Sequence, residues 1–194
     1  MENIITINTE ETTKIDTENV LEQNKPFPIF DKNNPLLKQI MPKYTGEIEN
    51  PKFQEFIRKL QFTRKAFRGI GLAANQCGIE VRVFVIGTEA FDMVCINPEI
   101  LEVSEEVEKG DEGCLSFPFI YLKIKRPKKI KVKYSNQLGE LIEVELIGMT
   151  ARCFQHEMDH LNGISIIDHV GKTSMMMAEK KRDKIMKRLK RQGK

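Results

Sequence analysis

The chain has 194 residues, 40% of them hydrophobic and 30% charged, with a formal net charge of +3 and no Trp. Length and composition fit one globular domain with a core of its own, and no apolar run reaches the ~18–20 residues that a membrane span needs. Four cysteines (Cys77, Cys95, Cys114 and Cys153) with no C-x-x-C pair argue against a disulfide scaffold and read as reduced thiols.

Residues 1–24 hold six acidic side chains against Lys14 and show no sustained hydrophobic period, which predicts a loose acidic arm ahead of a domain over 25–171. The arm has neither the basic and apolar stretches of a secretory signal nor the acid-poor composition of a transit peptide, so the expected compartment is the cytoplasm. Pro26, Pro28, Pro35 and Pro42 break the next stretch into extended chain and turns. A helix is predicted from Asn50, a good cap, with Pro51 in the first position where a missing N–H costs nothing. Phe53, Phe56, Ile57, Leu60 and Phe67 make its apolar stripe, and Gly69 marks its end. "VRVFVIG" (81–87) and "MVCINPEIL" (93–101) read as strands. "KKIKVKYSNQLGELIEVELIG" (128–148) reads as a hairpin. Ile130, Val132 and Tyr134 alternate with lysines, and Ile142, Val144 and Leu146 alternate with Glu143 and Glu145. Each strand then has one dry face, and the wet faces carry opposite charges that can pair. "TARCFQHEMDHLNG" (150–163) is a second helix ending near Gly163. "TSMMMAEKKRDKIMKRLKR" (173–191) is a third, with Met175, Ala178, Ile185 and Leu189 near one side as packing groups. Residues 172–194 carry ten basic side chains against Glu179 and Asp183, which suits either a polyanionic partner or a solvated helix face. The order helix, strands, helix, helix indicates an α+β fold.

The second helix carries H-E-x-x-H. His156 and His160 are one turn apart and about 40° apart around the axis, so both rings can meet one ion. Glu157 lies about 100° on from His156, where its carboxylate flanks the ion and can take a proton from water held there. The same residues would also sit acceptably on an ordinary helix, but the chain has three histidines and two are in this pair.

A catalytic ion needs a third protein ligand and an open position. In H-E-x-x-H-x-x-G-x-x-H the third histidine lies downstream. Gly163 matches here, but Ile166 occupies the histidine position, His169 is three residues late, and Glu179 lies inside the basic helix. Cys153 and His160 are about 10 Å apart along the helix, so they could share an ion only at full stretch. "GDEGCLSFP" (110–118) is the better source. Cys114, in a turn-prone stretch, could approach the helix from outside, and Cys with two His leaves tetrahedral Zn or Fe(II) one open site. Taken alone, this stretch is a weak signal, and a free cysteine in a loop is the commoner reading.

"GIGLAANQ" (69–76), "EGCLS" (112–116) and "QHEMDHLNG" (155–163), in this order, resemble the three signature motifs of peptide deformylases, over about residues 26–170. The resemblance implies antiparallel β-sheets packed around a central metal-binding H-E-x-x-H helix, with a C-terminal helix. It implies one Fe(II), replaceable by Zn, Ni or Co, held by Cys114, His156 and His160, with Glu157 as the catalytic acid–base. It implies that Gln76 and the Leu115 N–H receive the oxyanion, that a peptide pairs along Ile70 and Gly71, and that Cys153 lines the pocket for the methionine side chain. Arg152, at a position often apolar in relatives, bears on side-chain preference. Asp159 and Arg126 match an ion pair that braces the metal helix, and Gln155 reads as structural. The implied reaction is hydrolysis of the formyl group of formyl-methionyl nascent peptides, without a membrane, and the basic helix (172–194) resembles a tail that docks on the ribosome and its RNA. On the residues themselves, Gly69 and Gly71 allow close backbone approach, Ala73 and Ala74 keep the wall thin, and Gln76 is a neutral donor. Two other readings compete: a zinc endopeptidase, which lacks its downstream ligand, and a structural Cys/His₂ zinc module with an RNA-binding helix, for which Glu157 would be dispensable.

Overall fold

A computed structural model describes residues 25–88 and 92–192, so the acidic arm expected over 1–24 lies outside the described residues. Helix α1 (Pro51–Ala66) starts as predicted, with the Asn50 side chain accepting from the Lys52 N–H at 3.0 Å and Pro51 in the first turn. Phe53, Phe56, Ile57 and Leu60 are buried. The end differs from expectation. Phe67 caps the helix and is 44% exposed, off the apolar stripe. The left-handed residue is Arg68 (φ 55), not Gly69. The Arg68 N–H bonds the Lys65 carbonyl and the Gly69 N–H bonds the Arg64 carbonyl, both at 2.9 Å, closing a Schellman turn. Gly69 is needed for space instead, since a Cβ there would lie 2.8 Å from Leu115 Cδ1.

Among the described residues seven strands follow: β1 (Gly71–Ala73), β2 (Val83–Gly87), β3 (Asp92–Val103), β4 (Val107–Cys114), β5 (Phe117–Pro127), β6 (Lys129–Ser135) and β7 (Leu141–Ile147). They form a five-stranded sheet, β1-β2-β3-β6-β7, and a separate β4-β5 pair; every pairing is antiparallel. Helix α2 (Gly148–Leu161) carries the histidines, and α3 (Lys172–Arg191) is C-terminal to it. Strand alternation divides the core in two. Leu72, Val83, Val85, Val94 and Ile96 pack with α1, while Ala73, Phe84, Ile86 and Cys95 pack with Phe154, Met158 and Leu161 of α2. The five-stranded sheet therefore lies between the two helices, and α2 also touches β5.

On β6 and β7 the charges pair as the alternation predicted: Lys129 Nζ lies 2.8 Å from Glu145, and Lys131 Nζ 2.7 Å from Glu143. The dry face is thinner than expected. Leu146 is buried, Ile142 half-buried and Val144 36% exposed, because β7 is the sheet edge.

The stretch read as a loop around Cys114 is a strand. Residues 107–114 pair with β5 down to Gly113↔Tyr121, and a bulge then sets Cys114 opposite Phe117. Its glycines looked like turn residues but serve close contacts: a Cβ at Gly110 would lie 2.8 Å from the Arg152 guanidinium carbon, and one at Gly113 2.8 Å from the Tyr121 ring. Phe117, Ile120, Leu122 and Ile124 form a third apolar cluster with Ile166 and Ala178. Only Ala178 of α3 is buried; Met175 is partly covered, Leu189 is half-buried and Ile185 is 38% exposed, so the predicted apolar side is covered most fully in the first turns. Among the described residues, no helix is long and apolar enough to cross a membrane.

Phe154 joins α2 to the sheet, fully buried and edge-on to Phe84 with ring centroids 4.9 Å apart. Phe154→Ala is expected to lower unfolding free energy by about 3–5 kcal/mol, read from the urea midpoint at an unchanged m-value.

Candidate metal centre

The fold brings Cys114, His156 and His160 together, with one donor atom from each lying within 4.8 Å of the others. The two imidazoles, one turn apart on α2, have ring centroids 5.1 Å apart. Cys114 arrives from outside the helix, at the bulge that ends β4, and its Sγ lies 3.1 Å from His160 Nε2. The other candidates stay away. His169 Nε2 bonds Asp159 Oδ2 at 2.7 Å. Cys153 packs beside the α2 cluster, and burial pushes its thiol well above the usual range, leaving it neutral.

Glu157 is 2% exposed, and its Oε2 has no hydrogen-bond partner among the described residues. Burial raises its carboxyl to about 7, against the pull of the His156 charge. The wall beside it is Gly71, where any Cβ would collide with the carboxylate. The sequence reading gave this glycine to ligand approach; the nearer reason is Glu157. Gln76 is held by both ends of its amide. Its Oε1 accepts from the Ala73 N–H at 3.0 Å, and its Nε2 donates to Ser116 Oγ at 3.1 Å and faces Cys114 Sγ at 3.5 Å. Leu115 and Ser116 form the two-residue connection between β4 and β5. A cleft of about 790 Å³ joins these parts, lined also by Ile70, Gly71, Arg152 and Cys153. The short strand β1 is an edge of the five-stranded sheet beside this cleft.

Sequence reasoning missed two residues. Ser116, 1% exposed, orients Gln76. Glu112 organises the rest. It accepts from His156 Nδ1 at 3.0 Å and from Arg126 Nε and Nη2 at 2.7 and 2.8 Å, while Arg126 Nη1 reaches Asp159 at 2.8 Å. The Arg126–Asp159 pair is therefore one half of a buried network, not a surface pair. Burial alone would raise the Glu112 carboxyl, but the hydrogen bonds from Arg126 and His156 hold it far below the usual range. The available signal was a glutamate two residues before the motif cysteine, which spacing alone does not connect to His156.

The residues fit a divalent ion. With Nδ1 committed to Glu112, His156 presents Nε2 to the centre. Burial keeps His160 neutral, as a ligand must be. One sulfur and two imidazoles suit Zn and the late first-row ions better than Mg or Ca.

Comparison with known proteins agrees with the geometry. Residues 26–175 match the family model described as polypeptide deformylase. The peptide deformylase of Thermotoga maritima is 44% identical over 158 residues, 81% of this chain and 95% of that protein. The crystal structure of a Synechococcus elongatus peptide deformylase in complex with actinonin superposes with a TM-score of 0.77 at 35% identity, covering 81% of this chain and 87% of that one. The Thermotoga maritima crystal structure gives 0.73 at 42% identity, over 76% and 99%. With its fold and most of its length shared with these proteins, the chain belongs to the polypeptide deformylase family, enzymes that remove the N-formyl group from nascent peptides.

Proposed function

We propose that the cleft hydrolyses the formyl group from the initiator methionine of nascent peptides, with Cys114, His156 and His160 holding one Fe(II) that Zn, Ni or Co can replace. The observation that supports this best is the convergence of a thiol and two imidazoles within 4.8 Å, beside a buried carboxylate whose Oε2 has no partner among the described residues. The ion, when bound, supplies Lewis acidity that makes water easier to deprotonate near neutral pH. Glu157 takes the proton as the water oxygen bonds to the formyl carbon. Gln76 Nε2 and the Leu115 N–H donate to the oxyanion that develops on the formyl oxygen. Glu157 then returns its proton to the leaving nitrogen as the C–N bond breaks, giving formate and a free amino terminus.

Residues 25–171 carry this chemistry. The peptide extends along Ile70 and Gly71 by adding to the β1 edge, and its methionine side chain lies toward Cys153. Residues 172–194 act as a basic arm that docks on ribosomal RNA from the cytoplasm. What supports this is the run of exposed lysines and arginines along α3 beyond Ala178.

Three measurements test these roles. Glu157→Gln is expected to lose on the order of 10²–10⁴-fold in formyl-Met-peptide turnover, while metal analysis still finds about one ion per chain. Full turnover in that variant would remove Glu157 as the proton carrier. Gln76→Leu is expected to lower kcat on the order of 10²-fold or more with a smaller change in KM, as for the loss of an oxyanion donor. Reversing Lys184, Lys187 and Arg188 to Glu is expected to abolish co-sedimentation with ribosomes and leave formyl-peptide turnover intact. Binding by the unmodified chain should weaken steeply as salt rises.

A further inference from the structure

Arg152 is the residue whose place in the sequence suggested an effect on the side-chain pocket. Its side chain lines the cleft, but its guanidinium is committed elsewhere. The residue is 7% exposed, and Nη1 donates to Glu112 Oε1 at 2.8 Å and to the Ile124 carbonyl at 3.0 Å, while Nη2 donates to the Glu108 carbonyl at 2.7 Å. Gly110 makes this possible, because a Cβ there would lie 2.8 Å from the guanidinium carbon.

This contact completes the Glu112 carboxylate. Two oxygens offer about four acceptor sites. Oε1 takes Arg126 Nε and Arg152 Nη1; Oε2 takes Arg126 Nη2 and His156 Nδ1. Every site has a donor, and three of the four donors are guanidinium N–H groups anchored on β5 or α2. The carboxylate cannot tilt without breaking at least one charge-assisted bond, so the His156 ring that it holds cannot tilt either. Without Arg152, Oε1 would keep only Arg126, and a buried carboxylate oxygen would be short of a donor.

We propose that Arg152 is a positioning residue of the metal centre, holding Glu112 in the orientation that presents His156 Nε2 to the ion. This rests on the reading of Cys114, His156 and His160 as the ligands. Outer partners of a ligating histidine typically change metal affinity by about 10–100-fold when removed.

The test is zinc release from the zinc-loaded full chain into a chromophoric chelator. The parent is expected to bind one zinc per chain and Cys114→Ala to lose it; a parent without stoichiometric zinc overturns the ligand reading itself. Given a parent that binds, Arg152→Met and Arg152→Gln are each expected to release zinc about 10–100-fold faster. Gly110→Ala, which displaces the guanidinium without changing Arg152, should act in the same direction, and Arg152→Lys should recover part of the loss. In a Glu112→Gln background, Arg152→Met should add little further. Release at the parental rate in whichever of these variants fold, whatever their melting temperatures, reduces Arg152 to a tie between α2 and the hairpin and overturns the proposal. An acceleration undiminished in the Glu112→Gln background overturns it equally, since Arg152 would then not act through Glu112.

Discussion

The Arg126 guanidinium joins the two pieces of chain that the site requires. It stands on β5, 4% exposed, and grips Glu112 on the neighbouring strand and Asp159 on α2. Taking such charges out of water is costly, and an ion pair of this kind adds little net stability compared with apolar packing. What it supplies is registration. The β4–β5 pair lies outside the five-stranded sheet, and its apolar cluster packs against Ile166 and Ala178, beyond α2, so apolar contacts do not fix it against the histidine helix. Buried charges do not slide, because any displacement leaves one of them unpaired. The sulfur at the tip of β4 thereby stays opposite two rings on a helix more than forty residues later in the chain.

Local features of this arrangement were legible in the sequence. The Asn50-Pro51 start of α1, the paired charges of β6 and β7 and the histidine spacing on α2 depend on residues within a few positions of one another, and short-range pattern reports them well. The end of α1 was misjudged because Arg68 accepted the left-handed conformation while Gly69 was reserved for contact with Leu115. Strand β4 was hidden for a related reason. Its outward positions are charged and its glycines are there to admit the Arg152 and Tyr121 side chains, so composition mimicked a turn. The roles of Glu112 and Ser116 depend on partners about forty residues away, His156 and Arg152 for one and Gln76 for the other, and no local period carries that information.

The same close packing explains why the "GIGLAANQ" segment has so few large side chains. Gly71 yields its volume to the Glu157 carboxylate, and Ala73 and Ala74 are fully buried on opposite faces of the chain, one against each core cluster. The segment runs between the α1 core and the α2 core. Gln76, at its far end, has an amide whose orientation is settled by its neighbours. The Ala73 N–H fixes the oxygen, so the nitrogen must face Ser116 and Cys114. A donor set in advance costs no reorganisation when charge develops.

Two glutamates within this small volume are driven in opposite directions. Both are nearly inaccessible to water, at 6% exposure for Glu112 and 2% for Glu157, so burial acts on both alike. The difference comes from partners. Two guanidiniums and an imidazole surround Glu112 and hold its pKa far below the usual carboxylate range, which suits a group that accepts from His156. Glu157 has glycine on one side and an Oε2 with no hydrogen-bond partner among the described residues, and burial brings it to about 7. A carboxylate that releases its proton near neutrality can both take one and give it back within a single turnover, whereas one pinned by arginines can do neither. The contrast between a carboxylate held ionised and one that titrates near neutrality therefore follows from where the chain places its arginines. In the reaction proposed above, exchanging the two environments would leave the donor set intact and the acid–base step without a carrier.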